Sequence, residues 1–464
     1  MKKTISLLIA LLISSTAFAQ NFEGKWSGSL EIMGQKLPIV FNISQKDTTF
    51  ITKMDSPAQN ALGLPTNKTI VDGNELEIIA SGLGIHYKGT LESDSIVGFF
   101  NQNGLSLSLT LRQSQEPDFI RPQQPQPPYP YRIEEVVITN KKNNNSISAT
   151  ITTPDNIEKH PAVILVAGSG PNDRDETVFG HKPFWVIADH LTRNGIIVLR
   201  YDKRGVGKST GKYETATTSD FTEDAQTAID YLISRSDVDK TSIGIIGHSE
   251  GGIIAPMIAS KRNDIKHIIL LAGMGTKGID LIMQQNKLAL EDQNIEPQNV
   301  EELLSITRNT LESIHHWQGT ENDKTALRDK INSLWDKTPL IQRMKLNKDQ
   351  YIRSNFIAMS SPWFREFIKI DPSLYIKRVK CPVLVLNGEN DMQVIAKDNT
   401  ELIEVALTQG KNKNYKIKLY PHLNHLFQES ETGKVDEYIK IEQTISDQVL
   451  NDITESIKIN SITP

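Results

Sequence analysis

The chemistry of this chain centres on Gly247-His248-Ser249-Glu250-Gly251. The pattern is G-x-S-x-G, a nucleophile elbow. The preceding residues 241–246 are β-branched and apolar, as a buried parallel strand requires. Residues 252–260 carry a helical pattern. A sharp strand-to-helix turn strains the tip residue and pushes Ser249 Oγ clear of the sheet. The flanking glycines fit because a side chain on either would meet the neighbouring strand or helix. The Glu250 amide then lies at a helix N-terminus, where N–H groups are unpaired and the helix dipole favours negative charge. Such a site suits nucleophilic attack on a carbonyl with an oxyanion held by backbone amides.

A serine hydroxyl needs a base, and the base needs a carboxylate to fix its tautomer. Behind an elbow these partners follow in the order serine, acid, histidine. The acid is expected after the strand at 383–386, where Gly388-Glu389-Asn390-Asp391 forms a tight loop. Asp391 is the candidate, Glu389 the runner-up, and Asp398 reads as a helix surface charge. The base is expected after the strand at 417–420, in Pro421-His422-Leu423-Asn424-His425. His425 is the candidate, since His422 follows the strand too closely to swing towards Ser249. The second oxyanion donor should come from the loop after the strand at 162–166. The bare backbone of Gly168-Ser169-Gly170 makes the Ser169 N–H the choice. Arg174 is a candidate for an anionic substrate group, and Trp363 for a substrate contact.

Two other runs imitate functional motifs. Gly205-Val206-Gly207-Lys208-Ser209-Thr210 resembles a phosphate loop, but position 202 is Asp202 where glycine is required. Three residues separate Gly207 from Gly211, so the dinucleotide pattern fails too. Asp173-Arg174-Asp175-Glu176 lacks histidine or cysteine at ligand spacing, so it reads as a solvated loop with local ion pairs rather than a metal site. No metal or cofactor is expected.

The elements that must position these residues alternate. From residue 133 a strand pair (135–139 and 146–153, turn at 141–145) precedes a strand at 162–166, a helix near 183–193, a strand at 196–201 and a helix near 221–234. The elbow strand and helix come next, then a strand at 267–272. This alternation argues for a doubly wound, mainly parallel sheet with helices on both faces. Residues 277–372 break the rhythm with charged, helical periodicity. They hold three of the five tryptophans, Trp317, Trp335 and Trp363. Inserted at the carboxyl edge of such a sheet, the segment is read as a lid over the site. Most of its aromatics are expected to hold the lid's own core. The sheet resumes at 382–386 and 415–420, and a last helix near 436–453 closes the domain.

Residues 20–113 read as a small all-β barrel or sandwich, with alternating runs at 36–44, 75–80, 85–91, 95–100 and 105–111. Trp26 reads as a core plug. Residues 114–132, with Pro117, Pro122, Pro125, Pro127, Pro128 and Pro130, form a semi-rigid linker. Residues 1–19 read as a secretory signal: Lys2-Lys3, an apolar stretch from Ile5 to Ile13, and Ala17-Phe18-Ala19 before cleavage near Gln20. No cysteine adjoins that point for a lipid anchor. The only cysteine, Cys381, has no internal partner, so a bacterial periplasmic or secreted location is expected. The net charge of −5 with both signs mixed gives no nucleic-acid footprint.

Four runs carry a resemblance. They are Val166 to Asp175, Leu199-Arg200-Tyr201-Asp202-Lys203-Arg204-Gly205 onward to Ser209, Gly247 to Gly252, and Asn424-His425-Leu426-Phe427. Together they resemble the α/β-hydrolase superfamily, and within it the bacterial carboxylesterases described as serine aminopeptidase-like or acyl-ester hydrolase-like. The resemblance covers residues 134–460, including Ser361-Pro362-Trp363-Phe364 and Asp371-Pro372. It implies an α/β-hydrolase domain at 133–464, a Ser249–Asp391–His425 triad and cofactor-free hydrolysis of a small-molecule ester. Short to medium acyl or aromatic esters are expected. The same triad serves a peptidase or thioesterase. The alternative from another class is a ligand-binding protein with the β-domain as its working part.

Overall fold

The computed structural model describes residues 22–32, 35–47, 49–56, 61–102, 104–113, 121–156, 158–292, 295–338, 343 and 347–462. The expected signal segment and its cleavage point lie outside the described residues. The chain divides into two compact units, Met1–Pro117 and Asp118–Pro464.

The first unit is one antiparallel sheet of nine strands. In chain order these are β1 (Gly24–Ile32), β2 (Gln35–Lys46), β3 (Thr49–Ser56), β4 (Ala61–Pro65), β5 (Lys68–Asp72), β6 (Glu75–Ala80), β7 (Ile85–Glu92), β8 (Ser95–Gln102) and β9 (Leu105–Gln113). The spatial order is β4-β3-β2-β1-β9-β8-β7-β6-β5. Alternation builds it: along β7, Ile85, Tyr87 and Leu91 are buried while Lys88 and Glu92 face water. The sheet curls until edge strand β5 meets β3, with Thr69 Oγ1 donating to Thr52 Oγ1 at 2.8 Å, and Thr66 Oγ1, between β4 and β5, donating to the Thr52 carbonyl at 2.8 Å. It is therefore barrel-like rather than a two-sheet sandwich. Trp26, Phe41, Tyr87 and Leu111 fill the inside, and the Trp26 indole N–H donates to the Phe22 carbonyl at 2.8 Å.

The second unit holds an eight-stranded sheet. Its strands are β10 (Tyr131–Asn140), β11 (Asn145–Pro154), β12 (His160–Val166), β13 (Ile197–Tyr201), β14 (Val238–His248), β15 (His267–Leu271), β16 (Val383–Gly388) and β17 (Tyr415–Tyr420). The spatial order is β10-β11-β13-β12-β14-β15-β16-β17. From β13 to β17 every pairing is parallel, and β10 and β11 join as an antiparallel hairpin. Both faces are buried. Along β12, Ala162, Ile164 and Val166 enter one core and Val163 and Leu165 the other. The first core takes α2 (Thr218–Ser234) and α3 (Gly251–Ala259), and the second takes α1 (Pro183–Arg193).

Between β15 and β16 lies the expected helical insertion: α4 (Gly278–Glu291), α5 (Pro297–His315), α6 (Glu321–Lys337), α7 (Lys348–Ser360) and α8 (Pro362–Phe367). It has its own apolar core around Leu311, Ile314, Leu327 and Ile331. A short α9 (Ser373–Ile376) leads back to the sheet, and α10 (Ala396–Gln409) follows β16.

Two expectations change. The closing helix is not at 436–453. A short α11 (Val435–Tyr438) precedes an irregular stretch, and α12 runs Asp447–Ile462. The intervening backbone is committed elsewhere: the Ile439 and Ile441 carbonyls accept from Arg121, and the Ile445 carbonyl from Gln123. The same contacts revise the linker. Its later part, from Arg121 onward, lies on the second unit rather than free, with Gln124 Nε2 also donating to the Gly180 carbonyl at 2.6 Å.

Candidate active site

Ser249 sits directly after β14 with φ of 52°, the left-handed backbone expected of an elbow tip. Its own N–H is held by the Leu271 carbonyl of β15 at 2.9 Å. The flanking glycines are obligatory. A Cβ on Gly247 would lie 2.0 Å from the Gly251 carbonyl oxygen, and one on Gly251 would lie 2.0 Å from that of Val166. Ser249 keeps partial solvent access while His248 and Glu250 on either side are buried.

The candidate acid and base follow β16 and β17, the two strands beyond β15 in the sheet. His425 Nδ1 lies 2.7 Å from Asp391 Oδ2. Both are buried, whereas the alternatives His422 and Glu389 are exposed. Asp391 Oδ1 accepts the Gln393 and Val394 amides, each at 2.8 Å, and Asn387 Nδ2 donates to Oδ2 at 3.2 Å. These bonds hold the carboxylate in one orientation, so His425 presents Nε2 away from it. The His425 loop is braced by Asn424, whose Oδ1 accepts the Leu426 and Gln428 amides, each at 3.0 Å. No hydrogen bond joins Ser249 Oγ to His425 among the described residues; such contacts often tighten only around a substrate. Asp398 is exposed and accepts from Gln284 at 2.9 Å, as a surface charge does.

The loop after β12 lies against Ser249, since a Cβ on Gly168 would come within 3.1 Å of Ser249 Cβ. The next amide is that of Ser169. The Glu250 amide stands at the start of α3. Neither amide finds an acceptor among the described residues.

Other groups around the site have no plain signal in the sequence. Beside His425, His248 Nε2 donates to the His425 carbonyl at 3.0 Å and Nδ1 lies 2.9 Å from Glu176 Oε1. Glu176 Oε1 also accepts the Gly168 amide at 2.6 Å. Both His248 nitrogens therefore face acceptors, which suits an imidazolium. Burial works to lower its pKa, but the Glu176 carboxylate, assisted by the His425 carbonyl, outweighs burial and raises it. The buried Glu250 carboxylate meets Lys203 Nζ at 3.0 Å, Thr218 Oγ1 at 2.7 Å and the Trp363 indole N–H at 2.7 Å. Of these, Lys203, His248 and Glu250 fall in the four family-like runs and Trp363 was a substrate-contact candidate, whereas Glu176 and Thr218 lie outside those runs. Cys381 is no rival nucleophile, since burial pushes its thiol up to about 12.

Two sequence candidates find other occupations. Arg174 donates to Asp202, Glu135, Thr150 and Ser148. That set engages its whole guanidinium, so it has no donor to offer a substrate anion. Of its neighbours, Asp173 accepts the Asp175 and Thr177 amides and Glu176 serves His248. Trp363 does reach the elbow, stacked on Phe367 at 4.9 Å between ring centres while bonding Glu250. Trp335 is buried against Tyr351 within the insertion, and Trp317 packs on the same insertion core.

A family model described as serine aminopeptidase, S33, matches residues 184–431, just over half of the 464-residue chain. Esterase EstD of Thermotoga maritima is 28% identical over 310 residues, 66% of this chain. The chain spans 65% of that esterase's length, a little under two thirds. Among solved structures, the Pyrococcus furiosus esterase Pf2001 matches 71% of this chain and 93% of its own at 16% identity, with a TM-score of 0.40. Est1E of Butyrivibrio proteoclasticus, solved with ferulic acid, matches 70% and 96% at 18% identity, with a TM-score of 0.38. The matched span runs from α1 through the elbow and the acid loop to the His425 loop, and on that ground the chain belongs to the serine aminopeptidase S33 family of α/β-hydrolases.

Proposed function

We propose that this protein is a serine hydrolase that cleaves carboxylic esters through an acyl-enzyme. Ser249 Oγ attacks the ester carbonyl as His425 Nε2 takes its proton. Asp391 fixes the histidine tautomer and stabilises the imidazolium. The Ser169 and Glu250 amides hold the oxyanion, each worth roughly 3 kcal/mol in the transition state. His425 returns the proton to the leaving alcohol, and water then releases the acyl group by the same steps in reverse. The observation that carries this reading is a strained, accessible Ser249 after β14 together with a buried His425–Asp391 pair held after β17 and β16 of the same sheet. The name of the Thermotoga maritima relative favours esters; the family description favours amides as the rival.

The helical insertion leaves the sheet at its carboxyl edge and sends Trp363 to the elbow, which supports its reading as a lid. Its many charged residues favour short to medium acyl or aromatic esters over long-chain lipids. Comparing p-nitrophenyl acetate, butyrate, laurate and palmitate with aminoacyl anilides tests both points. The highest kcat/KM is expected on acetate or butyrate; a higher value on palmitate or on an anilide would overturn the assignment. The N-terminal pattern of residues 1–19 supports export to the periplasm, which N-terminal sequencing of the secreted protein at Gln20 would test.

A further inference from the structure

We propose that Lys203 is a positioning residue for the oxyanion hole, holding both of its amides through a single buried ammonium. The inference rests on the serine-hydrolase reading above and assigns a task that reading leaves open. Lys203 follows β13, two residues beyond Tyr201, and only 3% of it is exposed. Its Nζ donates to the Gly168 carbonyl at 2.5 Å and to Glu250 Oε2 at 3.0 Å. It also lies 4.3 Å from the centre of the Phe221 ring, which closes its apolar side.

The first contact acts through the peptide plane. The Gly168 carbonyl and the Ser169 N–H belong to one trans peptide, so they point in opposite directions. Pinning the oxygen from behind aims the N–H forward, towards the Ser249 side of the loop. A cation on the carbonyl also polarises the amide and strengthens its N–H as a donor. Asn172 Nδ2 shares the same oxygen at 2.7 Å, and Glu176 holds the Gly168 N–H one atom row away. That peptide therefore has little freedom to turn. The second contact acts on the other donor. Glu250 supplies the elbow amide, and its carboxylate is tied by Lys203, Thr218 and Trp363. One ammonium thus fixes the spacing between the two amides. A buried charge pair of this kind is weak evidence of stability, because desolvation offsets the attraction. A role in fixing geometry accounts for its location directly beneath the two donors.

The test uses the full chain and three readouts. Wild type is first treated with a fluorophosphonate and assayed on p-nitrophenyl butyrate. Absence of both labelling and turnover would remove the serine-hydrolase reading itself, independently of Lys203. With wild type active, Lys203→Met should lower kcat about 30-fold to 100-fold with KM within threefold, less than the roughly 100-fold to 1,000-fold of losing an oxyanion donor outright, because the amides remain and only their aim is loosened. Affinity for a trifluoromethyl ketone, which forms a tetrahedral oxyanion, should fall by a similar factor. Affinity for the matching methyl ketone should stay within threefold. Lys203→Met with Glu250→Gln removes both charges, which relieves the unpaired carboxylate and secures folding. The double variant should keep the deficit. Recovery of kcat to within threefold of wild type, or equal loss of both ketones, would show a merely structural pair and overturn the proposal.

Discussion

At the residue scale the account depends on which side chains stand at two strand ends. Asp391 is buried and receives two backbone amides, whereas Glu389 is exposed. His425→Ala should be almost as damaging as loss of Ser249, about 10⁶ in turnover, and Asp391→Asn somewhat less. His422→Ala should leave kcat within a few-fold of wild type, as steady-state kinetics would show. The imidazolium assigned to His248 predicts a pH effect. Its folded-state pKa is raised mainly by Glu176, against burial. Its contribution to stability is therefore complete below the unfolded value of about 6.5 and is lost as pH rises through the raised folded value. The stability gap between wild type and His248→Gln, from denaturant unfolding, should shrink between pH 6 and pH 9. A gap that widens over that range would exclude the imidazolium. The pairing of His425 with Asp391 and the strained backbone at Ser249 were legible in the sequence because the elbow pattern and the chain order of its expected partners are local features. Glu176, Lys203 and Thr218 were not legible, since each acts through a partner 32 to 72 positions away that no local pattern reveals.

At the element scale, the sheet and its helices followed from period and length. Buried strands such as β12 and β15 read as unbroken apolar runs, and the elbow glycines marked the turn. The strands that escaped notice are β1, β3, β4 and β5: β4 and β5 are five residues long, β1 and β4 contain glycine or proline, which weaken a strand pattern, and in β3 the adjacent Phe50 and Ile51 break the alternation. The closing helix was placed too early because Arg121 and Gln123, over 300 positions away, hold that backbone in an irregular path. The insertion's helicity was legible from its period, but its link to the elbow was not. Trp363 binds the buried Glu250 carboxylate and stacks on Phe367. Trp363→Phe keeps the stack and removes the N–H, which should cost about 2 kcal/mol, as expected for a lost hydrogen bond to a charged group. Thermal unfolding would measure it. An unchanged melting temperature would mean that the bond contributes nothing net.

At the scale of the whole molecule, the two units carry separate apolar cores, one inside the nine-stranded sheet and the others against the eight-stranded sheet. Separate cores unfold as separate cooperative blocks. Calorimetry should show two transitions. Tyr87→Ala, at a fully buried ring in the first core, should lower only one of them, by about 3–5 kcal/mol of that unit's stability. A single transition that Tyr87→Ala lowers as a whole would mean that the chain melts as one block. The division near residue 117 was legible from the proline-rich stretch, whose later part proves to be bound to the second unit through side chains that composition alone does not aim.

The central claim is that Ser249 is the nucleophile. Fluorophosphonate labelling of the full chain, followed by peptide mass spectrometry, tests it most directly. The account predicts one adduct per chain, on Ser249, with loss of ester turnover in proportion to labelling and no adduct in Ser249→Ala. Labelling of another serine with matching loss of turnover, or undiminished turnover after Ser249 is fully modified, would contradict it.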